Sequence, residues 1–283
     1  MSRSLGLLIM VALLVGVAAC VPGTEQGSHR TSEDVQDETA HRETANTTER
    51  TSAPTLPGGR TAKQETQAVT DSPVSWDYVA LGDSLAVGVG AHRGYVDRYA
   101  AHIESDTDVA VDVVNLGTSG QTSSELLRAL HRDPEIRQAL GAAEVITFNV
   151  GINDLGRAGE AYENGACGGG DDQECLRAAV ETLEKNWDAI IAELLSLRST
   201  EDTIIRTAGI GYTPRVARIF EPYLVEVNRH IATAAASQDI PYAQPYLDEG
   251  HLSSDGVHPN DDGYEIIADR LRELGYGPLS SPR

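Results

Sequence analysis

From residue 76 to residue 274, short apolar runs alternate with stretches whose apolar residues recur every three or four positions. The first kind predicts buried strands and the second predicts amphipathic helices. Strands are expected over 77–84, 109–116, 144–150, 203–208 and 240–243. Helices are expected over 95–105, 123–131, 174–197, 222–237 and from a cap at Asn260 to 274, with a further helical turn over 134–140. The segment 157–173 reads as a long loop. Alternating strands and helices imply an α/β fold, a three-layer α/β/α sandwich built on a mostly parallel five-stranded sheet with helices on both faces.

The N-terminal region breaks this pattern. Arg3 precedes an apolar and glycine run over 5–17, which at about 13 residues is short for a membrane span and right for an export signal. Val17-Ala18-Ala19-Cys20 follows, small residues leading to a cysteine. This resembles the lipobox of bacterial lipoproteins. The resemblance implies a signal peptide over 1–19, cleavage before Cys20, a diacylglyceryl group on its sulfur and attachment to the outer side of the cell membrane; an ordinary secretory signal is the alternative. Residues 20–75 are rich in Thr, Ser, Glu, Gln, Gly and Pro. Such a segment buries too little apolar surface to offset chain entropy, so it reads as a disordered tether with a reach on the order of 40 Å. His29 and His41 read as solvated tether residues. The patterned globular domain then occupies 76–283.

Composition narrows the partners. A formal charge of −21 excludes a nucleic-acid partner, which needs a basic face. Lysine occurs only at 63 and 185, which suits a high-salt habitat or a GC-rich genome. With Cys20 assigned to the anchor, Cys167 and Cys175 remain. In an exported chain the even remainder points to a disulfide stapling the glycine-rich loop between them, two free thiols being the alternative.

The chemistry gathers at strand ends. The first strand stops at Gly82-Asp83-Ser84-Leu85, and the second leads into Gly117-Thr118-Ser119-Gly120-Gln121. The third leads into Gly151-Ile152-Asn153-Asp154, and Asp255-Gly256-Val257-His258-Pro259 lies near the C-terminus. In a parallel sheet such loops meet at one rim. A serine hydroxyl is a weak nucleophile until a base and an oxyanion site support it, and these loops offer candidates for both. Taken singly, each residue has a plainer role: Ser84 as a helix cap, Asn153 as a turn residue, Gly120 as a permissive hinge, Asp255 as a cap and His258 as a loop histidine. Gln121 stands where G-x-S-x-G requires glycine, so an ordinary α/β-hydrolase elbow is excluded. No phosphate-binding loop, G-x-G-x-x-G or H-E-x-x-H is present, and the sequence signals no metal or cofactor.

Together and in this order, the four blocks resemble those of the GDSL/SGNH hydrolase family, and the resemblance covers 76–274. It implies a flavodoxin-like sandwich and a serine esterase or lipase that acts on a small-molecule, lipid or acylated-carbohydrate ester. Ser84 would be the nucleophile, His258 the general acid and base, and Asp255 the residue that orients the imidazole. The backbone N–H groups of Ser84 and Gly120 and the side-chain amide of Asn153 would form the oxyanion hole. Asp83 and Asp154 read as loop-holding residues. His92, His102, His131 and His230 read as surface or helix-face residues, and His251 as outside the catalytic set. Tyr162 and Tyr212 are candidates for lining an acyl pocket. The chain reads as a monomer. A non-catalytic surface binding protein of the same fold is the rival, and intact candidate residues in every block speak against it.

Overall fold

A computed structural model describes residues 75–211 and 219–279. The signal segment 1–19, Cys20, the tether through residue 74 and Tyr212 lie outside the described residues.

Five strands form one sheet: β1 (Ser75–Gly82), β2 (Ala110–Asn115), β3 (Val145–Asn149), β4 (Ile204–Ala208) and β5 (Tyr242–Ala243). Their order is β2-β1-β3-β4-β5 and every pairing is parallel. Side chains alternate along β1, and this alternation splits the core in two. Val79 and Leu81 face one layer with Ile146, Phe148 and Ile205. There α3 (Ser123–Arg132), α4 (Pro134–Ala142), α6 (Glu174–Leu197) and α7 (Glu221–Ala236) cover the sheet, with Trp187 of α6 fully buried against Phe148. Tyr78 and Ala80 face the opposite layer, covered by α2 (Tyr95–Thr107) and α8 (Asp261–Glu273) through Tyr99, Ile103, Tyr264 and Ile267. Tyr78 retains a partner for its hydroxyl inside this layer, Thr147 Oγ1 at 2.7 Å. A lone buried hydroxyl would be costly.

One expected loop begins as a helix. α5 runs from Ile152 to Glu163, so residues 157–163 are helical rather than irregular. Leu155, Ala158 and Gly159 are its buried positions, a three-to-four spacing that two glycines of low helix propensity obscure in the sequence. Gly159 is needed there for space, since a Cβ would stand 3.0 Å from the Phe220 ring. The remaining loop is closed by a Cys167–Cys175 disulfide, with Cys167 packed beside Ala158 and Leu176. Tyr162 joins this small satellite core and meets Phe220 edge-on at 6.1 Å.

Strand order places the chemistry. The chain leaves β1 for β2 on one side and then crosses to β3 on the other, so a crevice opens at the carboxyl ends of β1 and β3. Gly82 lets these strands approach: a Cβ there would lie 2.3 Å from the Asn149 carbonyl oxygen, and its φ of +143° is disfavoured for other residues.

Candidate active site

Ser84 begins α1 (Ser84–Val87), a single turn that starts as soon as β1 ends. Asp83 caps this turn by accepting the Leu85 N–H at 3.0 Å. As the first helical residue, Ser84 has no intrahelical acceptor for its own N–H. Its side chain sits in a niche that leaves the residue 9% exposed.

The histidine arrives from the far end of the chain on a tight hairpin. The Ser253 N–H donates to the His258 carbonyl at 2.8 Å, and Leu252 bridges Pro259. Asn260 closes the hairpin and caps α8, accepting from the Gly263 N–H at 3.0 Å. Tyr264, one turn into α8, donates to the Val89 carbonyl at 2.8 Å and so ties this element to the loop after α1. The result is a linear relay. His258 Nε2 lies 2.8 Å from Ser84 Oγ, and His258 Nδ1 lies 2.7 Å from Asp255 Oδ2.

Asp255 is held by its other oxygen. Oδ1 accepts from the Val257 N–H at 2.8 Å, the His258 N–H at 2.9 Å and the Ser253 hydroxyl at 2.8 Å. Partial burial pushes the Asp255 carboxyl up. The His258 ring and the two backbone donors outweigh that effect and hold it well below the usual carboxylate range. The carboxylate is therefore charged at neutral pH and can support an imidazolium. Ser253 was not singled out in the sequence; its signal is the Ser-x-Asp spacing inside a turn.

Loops after β2 and β3 close the other side. The Thr118 N–H donates to the Gly82 carbonyl at 2.8 Å, holding the β2 loop against the end of β1. Gly120 has a φ of +79°, and its vacant Cβ position has nothing within 4 Å. Among the described residues its N–H has no acceptor. Asn153, near the start of α5, donates from Nδ2 to the Gln121 carbonyl at 2.9 Å and lies 3.5 Å from Asp83 Oδ2. Ser84, Gly120 and Asn153 thus belong to one hydrogen-bonded set of loops. Asp154 binds the backbone and hydroxyl of Ser123 at 2.9 and 2.6 Å, and Asn186 of α6 donates to the same hydroxyl at 2.8 Å. Burial pushes the Asp154 carboxyl up, against the lowering effect of the Ser123 bonds.

The other sequence candidates lie apart from this cluster. His251 pairs with Asp248 at 2.8 Å in a turn before the hairpin. His92, His131 and His230 each lie against a carboxylate on helices or their flanks.

Asp83 is fully buried beneath the site. Burial pushes its carboxyl up to about 6, against the lowering effects of the Leu85 N–H bond and of His258. Because the folded chain holds this proton more tightly than the unfolded chain does, the contribution of Asp83 to stability is greatest at low pH. It is lost as pH rises from about 4 to 6. Asp83→Asn keeps an oxygen for the Leu85 N–H and removes the buried charge. It is expected to stabilise the protein by about 1–3 kcal/mol at pH 7.5 and by much less at pH 4. Urea denaturation at both pH values checks this, and an equal gain at both, or a loss at pH 7.5, contradicts it.

The sequence profile of the GDSL-like lipase/acylhydrolase family matches residues 80–266, a span that includes Ser84, Gly120, Asn153, Asp255 and His258. The chain belongs to that family. Among its GDSL relatives, the spore germination lipase LipC of Bacillus licheniformis is 31% identical over 213 residues, covering 71% of this chain and 97% of LipC. The protein YpmR of Bacillus subtilis is 29% identical over 212 residues, covering 68% of this chain and 78% of YpmR. In structure, the GDSL domain is similar to a lipase from goat rumen metagenome, with a TM-score of 0.66 and 30% identity over 72% of this chain and all of that one. The acetylxylan esterase Axe2 of Geobacillus stearothermophilus shares the fold, with a TM-score of 0.55 and 19% identity over 72% of this chain and 96% of Axe2.

Proposed function

We propose that this GDSL hydrolase is a serine esterase that cleaves carboxylic esters through an acyl-enzyme at the cell envelope. The observation that carries the reading is the relay from Ser84 Oγ to His258 Nε2 at 2.8 Å and from His258 Nδ1 to Asp255 Oδ2 at 2.7 Å. In this reading His258 takes the hydroxyl proton as Ser84 Oγ attacks the ester carbonyl, and the fixed Asp255 carboxylate stabilises the imidazolium. Negative charge on the carbonyl oxygen is received by the N–H groups of Ser84 and Gly120 and by the Asn153 amide. His258 returns the proton to the departing alcohol. Water, deprotonated by the same imidazole, then releases the acid and restores Ser84.

A lipid or acylated carbohydrate is the proposed substrate class. The lipase and esterase names of the relatives support an ester of this kind, and the lipobox-like Cys20 supports action near a membrane. Nitrophenyl esters of increasing acyl length, from acetate upward, test the reading. Turnover of at least the short-chain esters is expected, and the length dependence then separates a lipase from an acetylesterase. No turnover of any acyl ester contradicts the proposal.

The anchor is proposed separately, with two acyl chains on Cys20 giving stable attachment. Cys20→Ser is expected to move the full-length protein from the membrane fraction into the soluble fraction. Continued membrane retention counts against a lipid anchor.

A further inference from the structure

A second constellation lies along the seam between α2 and α8, away from the serine. These helices pack through an apolar stripe that includes Tyr99 and Ile103 on one and Tyr264, Ile267, Ala268 and Leu271 on the other. Beside the stripe run two rows of charged residues at four-residue spacing, where side chains share a helix face. α2 contributes Arg98, His102 and Asp106, and α8 extends Asp261, Glu265 and Asp269 toward them. Arg98 pairs with Asp261 at 2.8 Å and also with Glu265, and Arg272 pairs with Asp106 at 2.5 Å. These ion-paired residues and Asp269 together present four carboxylates to two guanidinium groups. With the histidines neutral, this leaves two negative charges.

His102 lies in the middle of that imbalance. Its Nε2 is 3.2 Å from Asp269 Oδ1 and 3.4 Å from Glu265 Oε1. The nitrogen is shut off from water, yet neither oxygen is aligned to accept a hydrogen bond from it. A buried ring nitrogen without an aligned acceptor is unusual, because burial without a partner is costly. A shared cation resolves the geometry. In tetrahedral zinc sites, bonds of about 2.0–2.2 Å put ligand atoms roughly 3.3–3.6 Å apart; the 3.4 Å separation falls in that range and the 3.2 Å one lies just below it. All three candidate ligand atoms lie within 4.8 Å of one another. Arg98 holds the other oxygen of Glu265, leaving Oε1 turned toward His102, as an outer partner orients a metal-binding carboxylate.

We propose that His102, Glu265 and Asp269 bind one divalent transition-metal ion of the zinc type, clamping α2 to α8. Imidazole combined with carboxylates suits zinc, cobalt or nickel better than calcium or magnesium, which prefer all-oxygen shells. The clamp would act on stability rather than on the reaction. α8 is the helix that follows the His258 hairpin, so the ion would brace the support of the catalytic histidine without touching substrate. No local motif marks this site, because its histidine and its carboxylates are separated by more than 160 positions.

The test uses the full-length protein freed of metal by EDTA and dialysis. Co²⁺ alone is titrated and followed by its visible absorption, and Zn²⁺ alone is followed by the melting temperature. The native chain is expected to take up one equivalent of Co²⁺ and to melt higher as Zn²⁺ saturates it. His102→Gln and Asp269→Asn are each expected to weaken Co²⁺ binding at least tenfold and to abolish the Zn²⁺-dependent rise. Asp269 is half exposed, so its variant decides the matter if the histidine variant folds poorly. Absence of Co²⁺ uptake by the native chain overturns the proposal. Equal affinity and an equal melting shift in native chain and Asp269→Asn overturn it too, since the ion would then sit elsewhere.

Discussion

Ser84→Ala is expected to lower kcat for a short-chain nitrophenyl ester by about 10⁴–10⁶, with little change in KM. The substitution removes one oxygen and leaves the backbone N–H of residue 84 in place. The Gly120 and Asn153 donors remain as well, so substrate still binds and its carbonyl is still polarised. What disappears is the atom that would form the proposed acyl-enzyme, the same oxygen whose proton His258 would take across 2.8 Å. Water attacking without covalent catalysis supplies only the residual rate. Steady-state kinetics on native and variant protein, prepared in parallel to exclude a contaminating esterase, measures the difference. Rates within tenfold of each other would remove Ser84 from the chemistry.

Asp255→Asn is expected to lower kcat by about 10⁴ while leaving fold and melting temperature close to native. The reason lies in how this side chain is fastened. Three donors, the Val257 N–H, the His258 N–H and the Ser253 hydroxyl, all point at Oδ1. In the asparagine variant those donors retain the carbonyl oxygen, so the amide NH₂ takes the place of Oδ2 opposite His258 Nδ1. An N–H donor there selects the imidazole tautomer whose proton sits on Nε2. That nitrogen can then no longer accept a proton from Ser84, and no carboxylate remains to stabilise the imidazolium. The comparison is kcat/KM for both proteins alongside their thermal melts. A loss below tenfold in a normally folded variant would mean that Asp255 only shapes the turn.

The elements that carry the proposed chemistry were legible as strand ends and turns because each announces itself within a few residues. Leu81-Gly82-Asp83-Ser84 couples a buried apolar run to a turn, and Asn149-Val150-Gly151-Ile152-Asn153 does the same after β3. Strand order and the convergence of loops then follow from parallel α/β topology. The helix over 157–163 was hidden for a local reason: Gly156 and Gly159 weaken the helical signal, and the gain that offsets them is packing of Phe220 from a distant part of the chain. The carboxylate neighbours of half-buried His102 were hidden for a long-range reason. An isolated His on an amphipathic helix looks like a face residue until α8 is laid against it. The cap formed by Asp83 and the bracing of Asp255 by Ser253 are similar, since a carboxyl becomes informative only once its surroundings show what it accepts and how much water it has lost.

If His258 makes Ser84 nucleophilic, as proposed, the serine is open to covalent trapping. The full-length protein is treated with a fluorophosphonate ester, its intact mass is recorded and the modified peptide is mapped. One adduct per chain is expected, located on Ser84 and formed far more slowly in His258→Ala. An enzyme that hydrolyses esters yet takes no adduct, or takes it on another serine, would rule out Ser84 as the activated nucleophile.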